Sequence, residues 1–306
     1  MPSTPELLAW ICDRISAHAR QDLHTPIDGL LLSKVTKADA APEYSLTEPL
    51  LVLMAQAGKR LSLGDQVHEY RAGQCLVVTA ELPVTGHYID ITPGTPSLSM
   101  GVVLRAETVA ALQLRLPVQR SHTGPGPVAM ATTWADHDLL DALARLLQLL
   151  DRPADAAVLA PLLEQEIVWR LLTGPLGETV RQVGVGDSDL ALISRTIAWI
   201  RDHYAEPMRI EDLARLSGMS SSHLHRRFRA VTAMSPLQFQ KRIRLQQART
   251  LLLARPGDIA GVGHAVGYDS ASQFTREYRR LFGAPPSQHA TELRATASPS
   301  LGHTHR

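Results

Sequence analysis

An internal repeat in the C-terminal third of the chain constrains its fold more than any other sequence feature. The stretch 210–236, IEDLARLSGMSSSHLHRRFRAVTAMSP, matches 259–286, IAGVGHAVGYDSASQFTREYRRLFGAPP, at an offset of 49 residues before the central turn and 50 after it. In each copy the apolar positions after the turn follow the spacing i, i+4, i+7, which places them on one face of a helix. Repetition at a nearly fixed offset is much harder to obtain by chance than a single match. The repeat therefore predicts two copies of one helical unit.

Each copy has the pattern of two short helices separated by a tight turn. Gly218 and Gly267 mark the turn, and the small residues Ala214 and Gly263, four positions earlier, allow two helices to approach closely. The apolar residues of the second helices are Leu224, Phe228 and Val231 in one copy and Phe274, Tyr278 and Leu281 in the other. This arrangement predicts two helix-turn-helix units.

A different face of each second helix carries hydrogen-bond donors. The donors are Ser222, His225, Arg226 and Arg229 in the first copy and Ser272, Thr275, Arg276 and Arg279 in the second. The net charge of +1 hides an uneven distribution, because residues 208–294 hold 14 Lys and Arg against 6 Asp and Glu, whereas the remainder holds 17 against 24. A localised positive surface is typical of a protein that binds a polyanion.

The segment between the copies, residues 236–254, contains no glycine and no internal proline and is rich in strong helix formers. It predicts a single helix about 28 Å long, at about 1.5 Å per residue. Successive major-groove faces on one side of B-DNA are about 34 Å apart. A rigid spacer of this length can hold two recognition helices in consecutive grooves, so the predicted partner is double-stranded DNA.

The closing motif of the second copy, DIAGVGHAVGYDSASQFTREYRRLFGAPPSQH, resembles the DNA-binding domain of AraC/XylS transcriptional regulators, over about residues 190–290. The resemblance implies a sequence-specific regulator, expected to be an activator that meets RNA polymerase. It implies base-facing positions for Ser222, His225, Arg226, Ser272, Gln273 and Arg276. It implies phosphate contacts for Arg229, Lys241, Arg279 and Arg280.

The first two-thirds of the chain has another pattern. Between residues 30 and 104, glycines and prolines separate short apolar runs such as LLVLMAQ, CLVVTA and LSMGVVL, which predicts an all-β sandwich or small barrel. The stretch AGKRLSLGDQVHEYRAGQCLVVTAELPVTG resembles the cupin-like N-terminal domain of a subgroup of AraC-type regulators. This second resemblance implies a barrel that binds a small-molecule effector.

The predicted fold class is α+β, with an N-terminal cupin-like β-barrel flanked by helices and a C-terminal all-α domain of two helix-turn-helix units joined by a long helix. The predicted divisions are an N-terminal helix at 1–24, a sensing barrel at 25–133, a helical dimerisation segment at 134–173, a linker at 174–189, a DNA-binding domain at 190–294 and a flexible tail at 295–306.

The helical segment 134–173 contains more leucines than one buried stripe requires. Those of its first helix are Leu139, Leu140, Leu143, Leu146, Leu147 and Leu150. A core face and a partner face together would use all of them, which favours a homodimer. The alternative is a monomer that packs both helices on its own barrel.

A cupin-like barrel also raises an alternative function, a cupin-type metalloenzyme fused to a nucleic-acid-binding domain. Metal-dependent cupins need converging imidazole and carboxylate ligands, one of them a histidine three residues after a turn glycine. Leu76 occupies that position after Gly73, and His68 and His87 are isolated. We therefore expect no metal, no cofactor, no catalytic residue and no enzymatic activity. A third possibility, an architectural DNA-binding protein without an effector, would leave the barrel without a task.

The two cysteines, Cys12 and Cys75, are too few for a disulfide framework or a zinc cluster and fit a reducing compartment. No apolar stretch approaches the roughly 20 residues of a membrane span, so we expect a cytoplasmic protein without a membrane partner. Cys75 is the one candidate for effector binding. It is either a small buried hydrophobe or a thiol that senses an electrophile or oxidant.

Overall fold

The computed structural model describes residues 3–37, 42–116, 129–184, 189–255 and 257–297. The chain divides into two compact units, Met1–Arg195 with Ser222–Met234, and Thr196–Ser221 with Ser235–Arg306. Within the described ranges, no helix combines the length and apolar character needed to cross a bilayer. Residues 298–306 of the predicted tail and 185–188 of the predicted linker lie outside the described residues.

The chain begins with helix α1 (Thr4–His18), whose start is fixed by a capping box. The backbone N–H of Ser3 donates to a carboxylate oxygen of Glu6 at 2.7 Å, which satisfies one of the unpaired groups at a helix end. Leu7, Ile11 and Ile15 are buried. Their spacing of four residues places all three on one face, which packs into the core of the first unit.

In the described part of the chain, nine strands form two antiparallel sheets. The strands are β1 (Leu30–Val35), β2 (Glu43–Thr47), β3 (Leu50–Gln56), β4 (Gly58–Leu63), β5 (Gln66–Arg71), β6 (Gln74–Val78), β7 (Leu82–Ile89), β8 (Ser97–Val103) and β9 (Met130–Trp134). The order is β1-β8-β3-β6-β9 in the five-stranded sheet and β2-β7-β4-β5 in the four-stranded sheet. The α+β prediction is confirmed, and the N-terminal part is a two-sheet sandwich. Among the described strands, no hydrogen-bonded pair joins the two sheets into a closed barrel.

The five-stranded sheet is apolar on both faces, because each face has its own neighbour. Leu51, Leu53 and Cys75 belong to a core shared with α1 and the later helices of this unit. Val52 and Leu76, at the alternate positions of β3 and β6, line a cavity instead. Successive side chains of a strand point to opposite faces, so this division follows directly from the strand register.

Further helices of the first unit include α2 (Ala106–Gln113), α3 (His137–Gln148), α4 (Pro153–Thr173) and α5 (Gly177–Gly184), with one turn of 3-10 helix at Leu149–Asp151. Helix α3 begins at the N-cap Asp136, whose side chain accepts the Leu139 N–H at 2.8 Å. Helix α5 occupies half of the stretch predicted as a linker, and its Val180 is fully buried in the same core. The linker pattern of glycines and polar residues therefore includes a packed helix.

The leucines of α3 do not form a second, partner-facing surface. Leu139, Leu140, Leu143, Leu146 and Leu147 are all buried in the chain's own core, and Leu150 is partly buried against it. The reason is that α3 packs against both α1 and α4. The surplus of leucines over one stripe therefore reflects a helix with several neighbours, and the argument that drew a dimer interface from these residues was wrong.

The remaining helices are α6 (Asp189–Asp202), α7 (Ile210–Ser217), α8 (Ser221–Thr232), α9 (Pro236–Ala254), α10 (Ile259–Ala265), α11 (Ala271–Phe282) and α12 (Pro286–Ala297). Helix α9 has the bounds predicted for the long spacer. Its start is fixed by Pro236 in the first turn and by a capping box in which Ser235 N–H donates to Gln238 at 2.9 Å.

Helices α9 to α12 share one core, in which Phe274 and Tyr278 of α11 are fully buried. A Cβ on Gly263 of α10 would lie 3.0 Å from the Phe274 ring, so the absence of a side chain allows α10 and α11 to pack closely. The Arg244 guanidinium of α9 fixes the loops around this core. It donates to the carbonyl oxygens of Tyr204, Ala205, Glu206 and Gly267 at 2.6 to 3.3 Å.

Candidate nucleic-acid interface and internal cavity

Helix α8 has the two faces that its sequence predicts. Ser222, His225, Arg226 and Arg229 are exposed, whereas Leu224, Phe228 and Val231 are buried. An Arg226 guanidinium nitrogen lies 3.1 Å from Nδ1 of His223, one helical turn earlier. The four exposed side chains can all donate hydrogen bonds. Their contact with DNA stays a prediction.

Helix α11 repeats this arrangement with the same length of 12 residues. Ser270 caps its start by accepting the Gln273 N–H at 3.4 Å. Ser272, Arg276, Arg279 and Arg280 are exposed, and together with Thr275 and Gly283 they line an open depression on the surface. The concentration of three guanidinium groups at one depression makes this surface positive and suited to an anionic partner.

Two residues predicted to contact DNA, Lys241 and Gln273, donate hydrogen bonds to one carboxylate, and their contact with DNA stays a prediction. Glu277, which is 9% exposed, accepts from Lys241 Nζ at 2.9 Å, from Tyr268 Oη at 2.9 Å and from Gln273 Nε2 at 3.3 Å. Burial alone would raise the pKa of Glu277, but these three donors lower it below its usual value, so the group is ionised at neutral pH.

The spacing of four residues between Gln273 and Glu277 is visible in the sequence as a helical pair. Lys241 lies on α9, and only the tertiary packing brings it to Glu277.

A cavity of about 210 Å³ lies between the two sheets of the sandwich. Most of its wall is apolar and comes from both sheets, including Leu50, Val52, Leu61, Leu76, Val78 and Val84. Hydroxyl groups of Ser33, Ser45, Thr47, Ser99, Tyr70 and Tyr88 also lie along it. Concave, mostly apolar sites with a few polar groups are typical of small-molecule binding.

A buried cation, Lys59, lies at the wall of this cavity. Its side chain is 16% exposed, and its Nζ donates to Glu43 at 2.7 Å and to the Tyr88 hydroxyl at 3.2 Å. Nζ also lies 4.4 Å from the centre of the Tyr88 ring, within cation–π range. Burial by itself would lower the pKa of Lys59, but Tyr88, Glu43 and Tyr70 raise it above its usual value.

Sequence reasoning missed Lys59, although its position carried a clue. In the run KRLSL of β4, Lys59, Leu61 and Leu63 alternate with polar positions and so share the inward face. A charged residue at an inward position of a strand needs a partner and is a candidate for a functional role.

Cys75, the sequence candidate for effector binding, lies away from this cavity. It is fully buried among the residues that pack against the helices, and burial raises the pKa of its thiol to about 12. Cys12 is partly buried, and its thiol donates to the Ala55 carbonyl at 3.3 Å. The position of Cys75 fits the role of a small buried hydrophobe better than that of a reactive, sensing thiol.

The strand register separates the two isolated histidines of the sandwich. His68 is paired with Leu61 and His87 with Arg60, so the two imidazoles lie on opposite faces of the four-stranded sheet. Among the residues that the structure describes, no three His, Cys, Asp or Glu side chains lie close enough to hold a metal ion.

A family model described as the AraC-type transcriptional regulator N-terminus matches residues 26–179, and a helix-turn-helix domain model matches residues 213–292. The first match alone covers half of the chain. The chain therefore belongs to the AraC-type transcriptional regulators.

The chain is similar to two curated activators. The HTH-type transcriptional activator RhaS of Salmonella arizonae is 27% identical over 147 residues, which are 48% of this chain and 52% of the relative. RhaS of Escherichia fergusonii is 27% identical over 153 residues, which are 50% of this chain and 55% of the relative. The chain thus spans about half the length of the curated relatives it matches.

Solved structures with a similar fold include ToxT of Vibrio cholerae O395, with a TM-score of 0.52 and 9% identity over 86% of this chain and 97% of that one. ToxT of Vibrio cholerae bound to an unsaturated fatty acid matches with a TM-score of 0.51 and 9% identity over 85% of this chain and 94% of that one. At this level of identity the likeness concerns the fold alone.

Proposed function

We propose that this chain is a sequence-specific DNA-binding regulator that activates transcription under the control of a small molecule bound in the cavity. The observation that carries the proposal is the repetition of α8 and α11, two 12-residue helices that bury apolar side chains and expose arginines at equivalent positions. The naming of RhaS as an activator supports the direction of regulation, and the ligand-bound ToxT structure supports an effector site.

The proposal assigns base contacts to Ser222, His225, Arg226, Ser272 and Arg276 and phosphate contacts to Arg229, Arg279 and Arg280. Gln273 and Lys241 join these sets only after they leave Glu277. The sensing part comprises residues 25–133 with the helical segment 134–173, and the DNA-binding part comprises 190–294. The regulator acts in the cytoplasm as a homodimer, contacts RNA polymerase and has no catalytic role.

Four alanine variants test the assignment on a DNA site selected from random duplexes with the parent protein. Arg226→Ala and Arg276→Ala should each weaken specific binding and relax base preference at one position, because a bidentate arginine–guanine contact contributes about 1 to 3 kcal/mol. The two relaxed positions should lie about 10 base pairs apart, one helical turn of DNA.

Arg229→Ala and Arg279→Ala are the matched controls, one turn further along the same helices. They should weaken binding to all sequences alike and flatten the salt dependence, because each phosphate contact releases about one counterion. Footprints and competition assays compare all four. If Arg276→Ala leaves the affinity and the second half of the footprint unchanged, only the first unit reads bases and the two-groove proposal is wrong.

A further inference from the structure

The cavity of the sandwich carries a more specific inference about the effector, which rests on the proposed function. We infer that the cavity binds a small apolar monocarboxylate, and that the ligand carboxylate replaces Glu43 as the partner of Lys59.

The cavity volume indicates the size of the ligand part that can be held between the sheets. Its volume of about 210 Å³ is below the roughly 300 to 1,000 Å³ of sites for drug-sized molecules. A cavity of about 150 Å³ in another protein accommodates benzene. The present cavity therefore has room for one ring, or a branched chain of similar volume, with a short acid group attached.

The cavity walls determine which part of the ligand is apolar. Leu50, Val52, Leu76 and Val78 of the five-stranded sheet face Leu61 and Val84 of the other sheet across the cavity. Burying the hydrocarbon body of a ligand against these side chains is favourable at about 25 cal/mol per Å². A strongly polar ligand would lose its hydration here and recover few hydrogen bonds.

Lys59 determines the charge of the ligand. It is the only Lys or Arg among the described residues that line the cavity, whose acidic residues are its partner Glu43 and the exposed Glu48. A buried ammonium group is costly unless it is paired and hydrogen-bonded. Lys59 is paired with Glu43, and any ligand that enters must leave Lys59 with an anion beside it.

Glu43 is the member of the pair that can be exchanged. It is the first residue of β2, which among the described strands is an edge strand paired with β7, and its side chain is 45% exposed, against 16% for Lys59. The Glu43 carboxylate can turn towards water because nearly half of its side chain is exposed, while a ligand carboxylate takes its place beside the buried ammonium group. Lys59 cannot leave so easily, so an anionic ligand fits the site better than a cation that would have to displace the ammonium group.

Tyr88 completes the carboxylate site. Its hydroxyl oxygen accepts from Lys59 at 3.2 Å, and the hydroxyl proton can be donated to a ligand oxygen. A carboxylate held by an ammonium group and a phenol makes charge-assisted hydrogen bonds, which are about twice as strong as neutral ones.

Calorimetric titration of the full chain with three probes of one shape tests the ligand charge. The probes are phenylacetate, its neutral amide phenylacetamide, and the cation phenethylamine, with hexanoate as a second acid. We expect both acids to bind and the amide and amine to bind about tenfold to a hundredfold more weakly, since hydrogen bonds to charged groups contribute about 1.5 to 3 kcal/mol. Equal affinity for acid and amide, or no binding of either acid, would overturn the inference.

Three variants test the roles of the residues. Lys59→Met should weaken phenylacetate binding about tenfold to a hundredfold and leave phenylacetamide binding unchanged. Arg60→Met is the matched control, because Arg60 is the next residue of β4, lies on the outer face and pairs with Glu69. It should leave the affinity for phenylacetate unchanged.

Glu43→Gln should strengthen phenylacetate binding severalfold, because the competing carboxylate is gone. If Lys59→Met fails to fold, the increase in phenylacetate affinity of Glu43→Gln still tests the inference. A purely structural role of Glu43 would not produce this increase. Weaker binding in Glu43→Gln would mean that Glu43 holds the ligand itself, which contradicts the exchange.

DNA binding measured on the same preparations separates the two proposals. Sequence-specific DNA binding without carboxylate binding overturns the inference and leaves the proposed regulator intact. Carboxylate binding without sequence-specific DNA binding supports the ligand class and contradicts the proposed function.

Discussion

Two neighbouring residues of β6, Cys75 and Leu76, lie in different surroundings, and these surroundings determine the reactivity of the Cys75 thiol. Leu76 faces the cavity, whereas Cys75 points the other way and is fully buried among apolar side chains of the helical layer. Burial raises the pKa of Cys75 to about 12, and the negative charge of Asp136 acts in the same direction. The thiolate, which is the reactive form, is therefore almost absent at neutral pH.

We predict that Cys75 resists alkylation by iodoacetamide in the folded protein at pH 7 to 9 and reacts readily in urea. Within this window the labelling rate should rise about tenfold per pH unit but stay far below that of the unfolded chain, because the thiol pKa lies far above the window and the thiolate fraction is very small. Peptide mass spectrometry measures the labelled fraction of each cysteine. If Cys75 is labelled as fast in the folded protein as in urea, the thiol is reactive and a sensing role is favoured. Cys75→Ser should then lose any response of the protein to electrophiles.

The exposed faces of α8 and α11 could be predicted at the residue scale because they depend only on helical periodicity. Arg226 and Arg276 are exposed as that periodicity predicts. Lys241 and Lys59 could not be placed from sequence, because their surroundings arise from elements far along the chain. Lys241 meets Glu277 from another helix, and Lys59 meets Glu43 from another strand.

At the scale of secondary-structure elements, the sequence predicted α9 with the observed bounds because proline and a capping box mark its start. It did not predict α5, because that segment contains glycines and few strong helix formers. Val180 of α5 is fully buried in the core of the first unit. Tertiary packing of this kind commonly outweighs intrinsic propensity.

Helix α4 presents the apolar surface that α3 does not. Val158 and Leu162 are 67% and 56% exposed, and Leu159 beside them is 42% exposed. Residues four apart lie on one helical face, so these side chains form one patch. We propose that a second copy of this chain packs on this patch in the proposed homodimer.

Leu162→Arg should weaken self-association, because it places a charge in an apolar interface, and should leave the thermal unfolding midpoint nearly unchanged. Ala157→Arg is the control on an exposed position about 100° round the same helix from Val158. Sedimentation measures the mass of both variants. A parent protein that is monomeric at micromolar concentration would contradict the proposed dimer.

Leu143→Arg should unfold the protein rather than weaken self-association, since that leucine is fully buried.

At the scale of the whole molecule, residues 208–294 offer fewer Lys and Arg side chains for DNA contacts than their composition suggests. Arg244 is committed to four carbonyl oxygens and Lys241 to Glu277. Arg229, Arg279 and Arg280 are exposed and remain as the proposed phosphate contacts. Each phosphate contact contributes about −0.9 to the slope of log K against log salt.

We therefore predict a slope of about −3 for the parent on non-specific duplex DNA, from three contacts at about −0.9 each. Glu277→Gln should steepen the slope by about one, because it removes the charge that holds Lys241. Fluorescence anisotropy at several salt concentrations measures both slopes. A parent slope already near −4 that Glu277→Gln leaves unchanged would show that Lys241 contacts phosphate despite Glu277.

The alternation along β3 and β6 also bears on how this protein can evolve. Core positions such as Leu51 and Leu53 pack against helices, and their substitution carries the cost of an internal void. Val52 and Leu76 line the cavity, so a change in their size alters the shape of the cavity more than the packing of the core. If the cavity binds the proposed effector, single substitutions at these positions can therefore change which ligand the scaffold accepts, while the neighbouring positions of the same strands keep their packing role.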